Sequence, residues 1–136
     1  MNLIINTDGA SRGNPGPASY GYIIKNSDGV ILHQEGQPIG INTNNVAEYS
    51  GVLKALEYIN EHFSSKAPHQ IEVVADSQLI IRQLAGMYKI KSPTLTVIYN
   101  QIKQMEFDLG EVSYRHVLRA ENYIADKLAN QALDRR

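Results

Sequence analysis

Leu3-Ile4-Ile5-Asn6-Thr7-Asp8-Gly9-Ala10-Ser11-Arg12-Gly13-Asn14-Pro15-Gly16-Pro17 is an apolar run that ends on a carboxylate and breaks into glycine, serine, asparagine and proline. The first half reads as a strand, and the second half is made of residues suited to tight turns and close backbone approach. Asp8 is therefore expected at the carboxyl end of a strand, beside exposed backbone N–H groups, where an α/β sheet places its ligands. An Asp-Gly pair also caps turns with no further role. The choice depends on whether other acids reach the same edge.

Outward from this stretch, Ser19 to Lys25 reads as a second strand, Asn26-Ser27-Asp28-Gly29 as a turn and Val30 to Glu35 as the returning strand. Asp-Gly between apolar runs is a strong hairpin signal. Gly36 to Thr43 is expected to be a connecting loop. Glu48, Val52, Leu56, Ile59 and Phe63 then follow at helical spacing and predict a helix ending near Phe63. Ile71 to Ala75 is a short strand that stops at Asp76-Ser77, and Gln78 to Leu84 has helical character. Ala85 to Pro93 reads as a loop. Ser92 as N-cap and Pro93 in the first turn predict another helix to about Phe107. Glu111 to Val117 alternates as a strand, and Ala125, Leu128, Ala129, Ala132 and Leu133 form the apolar stripe of a last helix beginning near Glu121.

The predicted order is βββαβααβα. A hairpin-linked opening is antiparallel, and each later strand, reached through a helix, lies parallel to the first. The expected architecture is a single α/β domain over residues 1–136, a five-stranded mixed sheet with helices on both faces. At 136 residues and 43% hydrophobic composition there is material for one ordinary core.

The chain has no cysteine, which excludes a disulfide framework, a thiolate metal site and a cysteine nucleophile. No stretch approaches the ~20 apolar residues of a membrane span, and no basic leader opens the chain. A soluble cytoplasmic protein with no membrane partner is the expectation. The net charge of −1 argues against a broadly basic nucleic-acid binder. Ser77 to Met105 nevertheless lacks any acid and carries Arg82, Lys89, Lys91 and Lys103 with Tyr88 and Tyr99. This is a candidate basic patch or simply a solvated helix face.

Three more acids are expected at the edge that holds Asp8. Asp76 ends a strand parallel to the first, and neighbouring strands lie about 4.8 Å apart. Glu48 lies on the apolar stripe of the first helix, and Asp126 shares a helix face with Ala129 and Leu133. Each has a structural explanation of its own: Asn45 to Glu48 fits a capping box, and an acid near a helix N-terminus suits the macrodipole. Four inward carboxylates at one edge, however, require a cation. All-oxygen ligation favours magnesium or manganese over zinc, since His33, His62, His69 and His116 show no paired spacing. Two such ions suit phosphodiester hydrolysis.

Asp8-Gly9-Ala10 with Gly13-Asn14-Pro15-Gly16-Pro17, Thr43-Asn44-Asn45 ahead of Glu48, Asp76-Ser77-Gln78, and Asn122 four residues before Asp126 together resemble type 1 ribonuclease H. The resemblance runs from Ile4 to about Leu133. It implies an endonuclease that uses two magnesium ions, with manganese as a substitute, to cut the RNA strand of an RNA–DNA hybrid, leaving 5′-phosphate and 3′-hydroxyl ends. By position Asp8, Glu48, Asp76 and Asp126 are the metal-binding acids. Asp8 bridges both ions, Asp126 holds the one that activates water, and Glu48 and Asp76 hold the one at the leaving group. The resemblance assigns hybrid recognition to Gly9, Ala10, Ser11, Glu48 and Gln78 at the 2′-hydroxyl. Asn14, Thr43, Asn44 and Asn45 fall at the backbone and minor groove, and Ser77 belongs to the same motif.

Two departures qualify it. The interval from Ala85 to Pro93 is too short for the extended basic helix and loop of some relatives, and the chain has no tryptophan; Tyr88, Lys89 and Lys91 are a candidate reduced substitute. The expectation is weaker, more salt-sensitive binding, without a separate N-terminal hybrid-binding domain. Before the last acid, His116 and Arg119 are alternative auxiliary residues, one able to relay a proton and the other to bind phosphate. A monomer with no obligate protein partner is expected. A non-cleaving nucleic-acid-binding module and a related metal-dependent nuclease acting on DNA are the alternatives.

Overall fold

The computed structural model describes residues 1–135. The elements are β1 (Asn2–Ser11), β2 (Gly16–Asn26), β3 (Ile31–Asn42), α1 (Asn44–His62), β4 (His69–Ala75), α2 (Gln78–Leu84), α3 (Pro93–Leu109), β5 (Gly110–His116) and α4 (Tyr123–Arg135). Short 3₁₀ turns stand at Ser64–Lys66 and Arg119–Asn122. The sheet order is β3-β2-β1-β4-β5. β1, β2 and β3 pair antiparallel, whereas β1 with β4 and β4 with β5 pair parallel.

Strand alternation divides the two faces of the sheet. Tyr20, Tyr22 and Ile24 of β2, with Leu3 and Ile5 of β1, join the core formed by Val52, Leu56 and Ile59 of α1 and Ile102 and Leu109 of α3. The intervening residues of β2 meet α4, where Ser19 Oγ donates to the Ala129 carbonyl at 2.5 Å.

Three local expectations are corrected. The glycine-rich stretch is strand for most of its length: the β1–β2 ladder runs on to Ser11 opposite Ala18, and the reversal is confined to the residues between Ser11 and Gly16. Asp8 therefore lies within the strand, not at its end. Gly36 to Asn42 is also strand, the second half of β3. This is an edge strand with largely exposed side chains, so burial imposed no apolar period on its sequence. Finally, Thr43 caps α1, its Oγ1 accepting from Val46 N at 3.2 Å, and Asn45 lies inside the first turn. Asn45 and Glu48 thus do not form the capping box.

Candidate active site

Two glycines bring the acids together. A Cβ at Gly9 would lie 2.5 Å from Glu48 N, so the first turn of α1 crosses directly over the β1 backbone and delivers Glu48 beside Asp8. A Cβ at Gly21 would lie 2.5 Å from the Ala125 carbonyl oxygen. Gly21 pairs with Asp8 across the ladder. Helix α4 consequently rests on the strand backbone next to Asp8, and Asp126 follows Ala125 into the same space. The fourth acid arrives through the parallel register: Asn6 lies opposite Val74, and two residues further on come Asp8, still within β1, and Asp76, just past the end of β4.

The result is a cavity of about 390 Å³ whose wall includes Asp8, Glu48, Asp76 and Asp126. Burial of Asp8, then the charge of Asp76 and hydrogen bonding to Asp126, push its carboxyl up to about 8. Glu48 is raised well above the usual carboxylate range, first by burial and then by Asp8 and Asp76. Its Oε2 is buried with no hydrogen-bond partner. A buried unpaired carboxylate oxygen is costly unless a cation answers it. The all-oxygen donor set suits a hard divalent ion such as magnesium, manganese or calcium. Among the described residues no three acids or histidines stand in a finished metal-holding arrangement.

Neutral donors steady three of the four acids. Asp8 Oδ1 accepts from Gly9 N at 2.9 Å. Asn122 is buried and donates to the Thr7 carbonyl at 2.8 Å and to Asp76 Oδ1 at 3.4 Å, while its own Oδ1 accepts from Asn6 at 3.2 Å. Asn130 donates to Asp126 Oδ1 at 3.2 Å. Neither Asn6 nor Asn130 was singled out from the sequence. The signal for Asn130 is its spacing, one helical turn after Asp126 and on the same face.

Gly9, Ala10, Ser11, Asn44, Asn45, Ser77 and Arg119 also line this cavity. Ser77 caps α2, its Oγ accepting from Ile80 N at 3.4 Å, and Gln78 is the exposed first residue of that helix. Asn14 and Thr43 line an adjoining cavity of about 450 Å³ that shares Asn45. The two walls are tied by Asn14 Oδ1, which accepts from Asn44 N at 3.1 Å. The structure separates the two auxiliary candidates: Arg119 reaches within 3.7 Å of Asp126 Oδ1, whereas His116 ends β5 outside the cavity lining. Tyr88, Lys89 and Lys91 are exposed in the loop after α2 and line neither cavity, with Arg82 donating to the Tyr88 hydroxyl at 2.6 Å.

Residues 6–132 match the Reverse transcriptase-like family. Ribonuclease HI of Halobacterium salinarum is 41% identical over 127 residues, covering 93% of this chain and 62% of that protein. The bifunctional protein Rv2228c of Mycobacterium tuberculosis is 39% identical over 135 residues, 98% of this chain. The chain spans only 36% of that relative's length. The solved structure of LC11-RNase H1 in complex with an RNA/DNA hybrid superposes with a TM-score of 0.94 at 40% identity, covering 98% of this chain and 97% of that one. With four carboxylates gathered on this sheet and relatives matched along almost its whole length, the chain belongs to the type 1 ribonuclease H family.

Proposed function

We propose that the chain is an endonuclease that hydrolyses the RNA strand of RNA–DNA hybrids and leaves 5′-phosphate and 3′-hydroxyl ends. The observation that carries this reading is the convergence of Asp8, Glu48, Asp76 and Asp126 on one cavity in a fold nearly superposable on a hybrid-bound ribonuclease H1. Asp8, Glu48, Asp76 and Asp126 would hold two divalent cations, magnesium with manganese as substitute, which would supply an activated water and neutralise charge at the leaving oxygen. Asp8, central and buried, would serve both ions. Asp126 would serve the water side, and Glu48 with Asp76 the leaving-group side.

The polar walls supply the rest. Backbone groups of Gly9, Ala10 and Ser11, which line the cavity with Glu48, would read a 2′-hydroxyl, with Glu48 and Gln78 as its further contacts. Asn14, Thr43, Asn44, Asn45 and Ser77 offer uncharged donors and acceptors to sugars and phosphates without selecting bases. Arg119, its side chain 77% exposed, is free to swing to a phosphate. Tyr88, Lys89 and Lys91 extend the contact with few cations, which weakens binding; because the salt slope scales with the number of phosphates neutralised, that slope is shallower than the sequence led one to expect. The chain acts in this reading as one domain and as a monomer.

The test is cleavage of an end-labelled hybrid, with duplex DNA, duplex RNA and single strands alongside, in magnesium, manganese and chelator. Metal-dependent cutting of RNA in the hybrid alone is the expected result. Binding without cutting in either metal would instead identify a silent module, and cutting of duplex DNA a different nuclease.

A further inference from the structure

Of the four acids, Asp126 is the one attached to a helix face with room to rotate. Its side chain retains 29% exposure, and it follows Ala125 at the start of α4. A carboxylate so placed has several rotamers open to it, and selecting one costs conformational entropy each time a cation is taken up. Asn130 stands one turn later and also faces the cavity. Its Nδ2 donates to the Asp126 carbonyl at 2.9 Å and to Asp126 Oδ1 at 3.2 Å. Only the nitrogen end of a carboxamide can face two oxygens together, so the orientation of Asn130 is defined by chemistry. Arg119 approaches the same Oδ1 at 3.7 Å. Neither residue donates to Oδ2.

Resting on the metal-dependent reading above, we propose that Asn130 is a positioning residue: it locks the Asp126 carboxylate with Oδ1 toward the protein and turns Oδ2 into the cavity, ready to bind a divalent cation. The lock differs from the Arg119 contact in kind. Asn130 is neutral, half-buried and on the same helix, so it holds Asp126 without competing for its charge. Arg119 is charged and mostly exposed, so a cation at Asp126 repels it and leaves the amide in place. Partners that orient metal-binding residues typically matter for affinity by about 10–100-fold.

The experiment is a Mn²⁺ titration of the whole chain without nucleic acid, counting free ion by electron paramagnetic resonance. Asn130→Ala should weaken uptake at the Asp126 site by about tenfold, while the melting temperature in chelator stays within a few degrees of wild type. Asn130→Ser retains a hydroxyl able to reach the Asp126 carbonyl but is too short for its carboxylate, and should behave as Asn130→Ala. In an Asp126→Asn background, adding Asn130→Ala should change Mn²⁺ uptake no further. Uptake within twofold of wild type in both Asn130 variants would overturn the proposal, as would a penalty that persists without the Asp126 carboxylate, or a wild-type chain that takes up no Mn²⁺. Because no substrate enters the titration, failure of the wild-type chain to cut hybrid would sink the proposed function and leave this result readable on its own.

Discussion

Glu35 lies beside α1 and Glu48 within it, and the fold treats them in opposite ways. Glu35, on β3, has its Oε2 answered by two hydroxyls, Tyr20 at 3.3 Å and Tyr22 at 3.1 Å. Those tyrosines are themselves pushed upward, first by burial and then by the Glu35 charge. Beside them His33, Tyr58 and His62 form a stack with centroids 3.7 and 3.9 Å apart. Glu48 has a buried Oε2 with no hydrogen-bond partner, and the charges that act on it are those of other acids, Asp8 and Asp76. A carboxylate supplied with internal donors is part of the structure. One from which donors are withheld stores an electrostatic cost that an outside cation can relieve. The contrast locates function more sharply than the number of acids in either place.

The widest separation between the two regions should be in turnover. Asp8→Asn is expected to cut hybrid cleavage by about 10³-fold or more, on the scale of several kcal/mol of lost charge stabilisation. Glu35→Gln should remain within about twofold of wild type, a tolerance set by its distance from any role in charge development. Initial rates on one labelled hybrid compare them directly, and equal losses would erase the distinction.

Stability against pH offers a second division. The Asp8 carboxyl is raised from 3.8 to about 8, so between those values the native state holds a proton that the unfolded chain has released. This group's contribution is fully present at the acid end of the window and is lost as pH rises toward 8. In chelator the melting temperature should therefore fall from its Asp8 contribution across that window. Asp8→Asn should flatten the decline and, near pH 8, stabilise the chain by ~1–3 kcal/mol. Saturating Mg²⁺ should flatten it in the wild type too. A melting temperature that rises with pH in chelator, and does so equally in Asp8→Asn, would contradict the assignment.

Glu48→Gln should remove the ionisable group and leave the shape, raising stability in chelator by about 1–2 kcal/mol at alkaline pH, where the raised carboxyl is forced to ionise, while abolishing most of the stabilisation that millimolar Mg²⁺ gives the wild type. Differential scanning calorimetry with and without Mg²⁺ reads both effects, and a variant less stable than wild type in chelator would show that Glu48 is a structural acid after all. The smallest effect belongs to the Glu35 carboxylate. Tyr22→Phe deletes one of two donors to Glu35 and should cost about 1 kcal/mol, measured by urea denaturation, with hybrid cleavage unaltered.

Much of this was readable from local pattern. The hairpin between β2 and β3, the stripe of α1 and the Ser92-Pro93 start of α3 are short-range signals, because turn chemistry, helical period and capping act over a few residues. The same local logic failed at Gly36 to Asn42 and at Gly9 to Ser11, where glycine and polar residues suggested loop and a neighbouring strand imposed extended backbone. Asn45 failed for a related reason: Thr43, Asn44 and Asn45 all have capping chemistry, and in the folded chain Thr43 is the one that caps α1.

By itself the sequence determined which acids were available, the order of the elements that carry them and the family they resemble, since each rests on residue identity or short spacing. Only the tertiary structure decided that Gly9 and Gly21 let two helices touch the sheet backbone beside Asp8, that Arg119 and not His116 enters the cavity, and that Glu48 Oε2 is left without a donor. These are outcomes of close packing between segments remote in sequence. A missing Cβ, a buried oxygen and a shared neighbour acquire meaning when both surfaces are present, and no spacing along one chain encodes the distance between two.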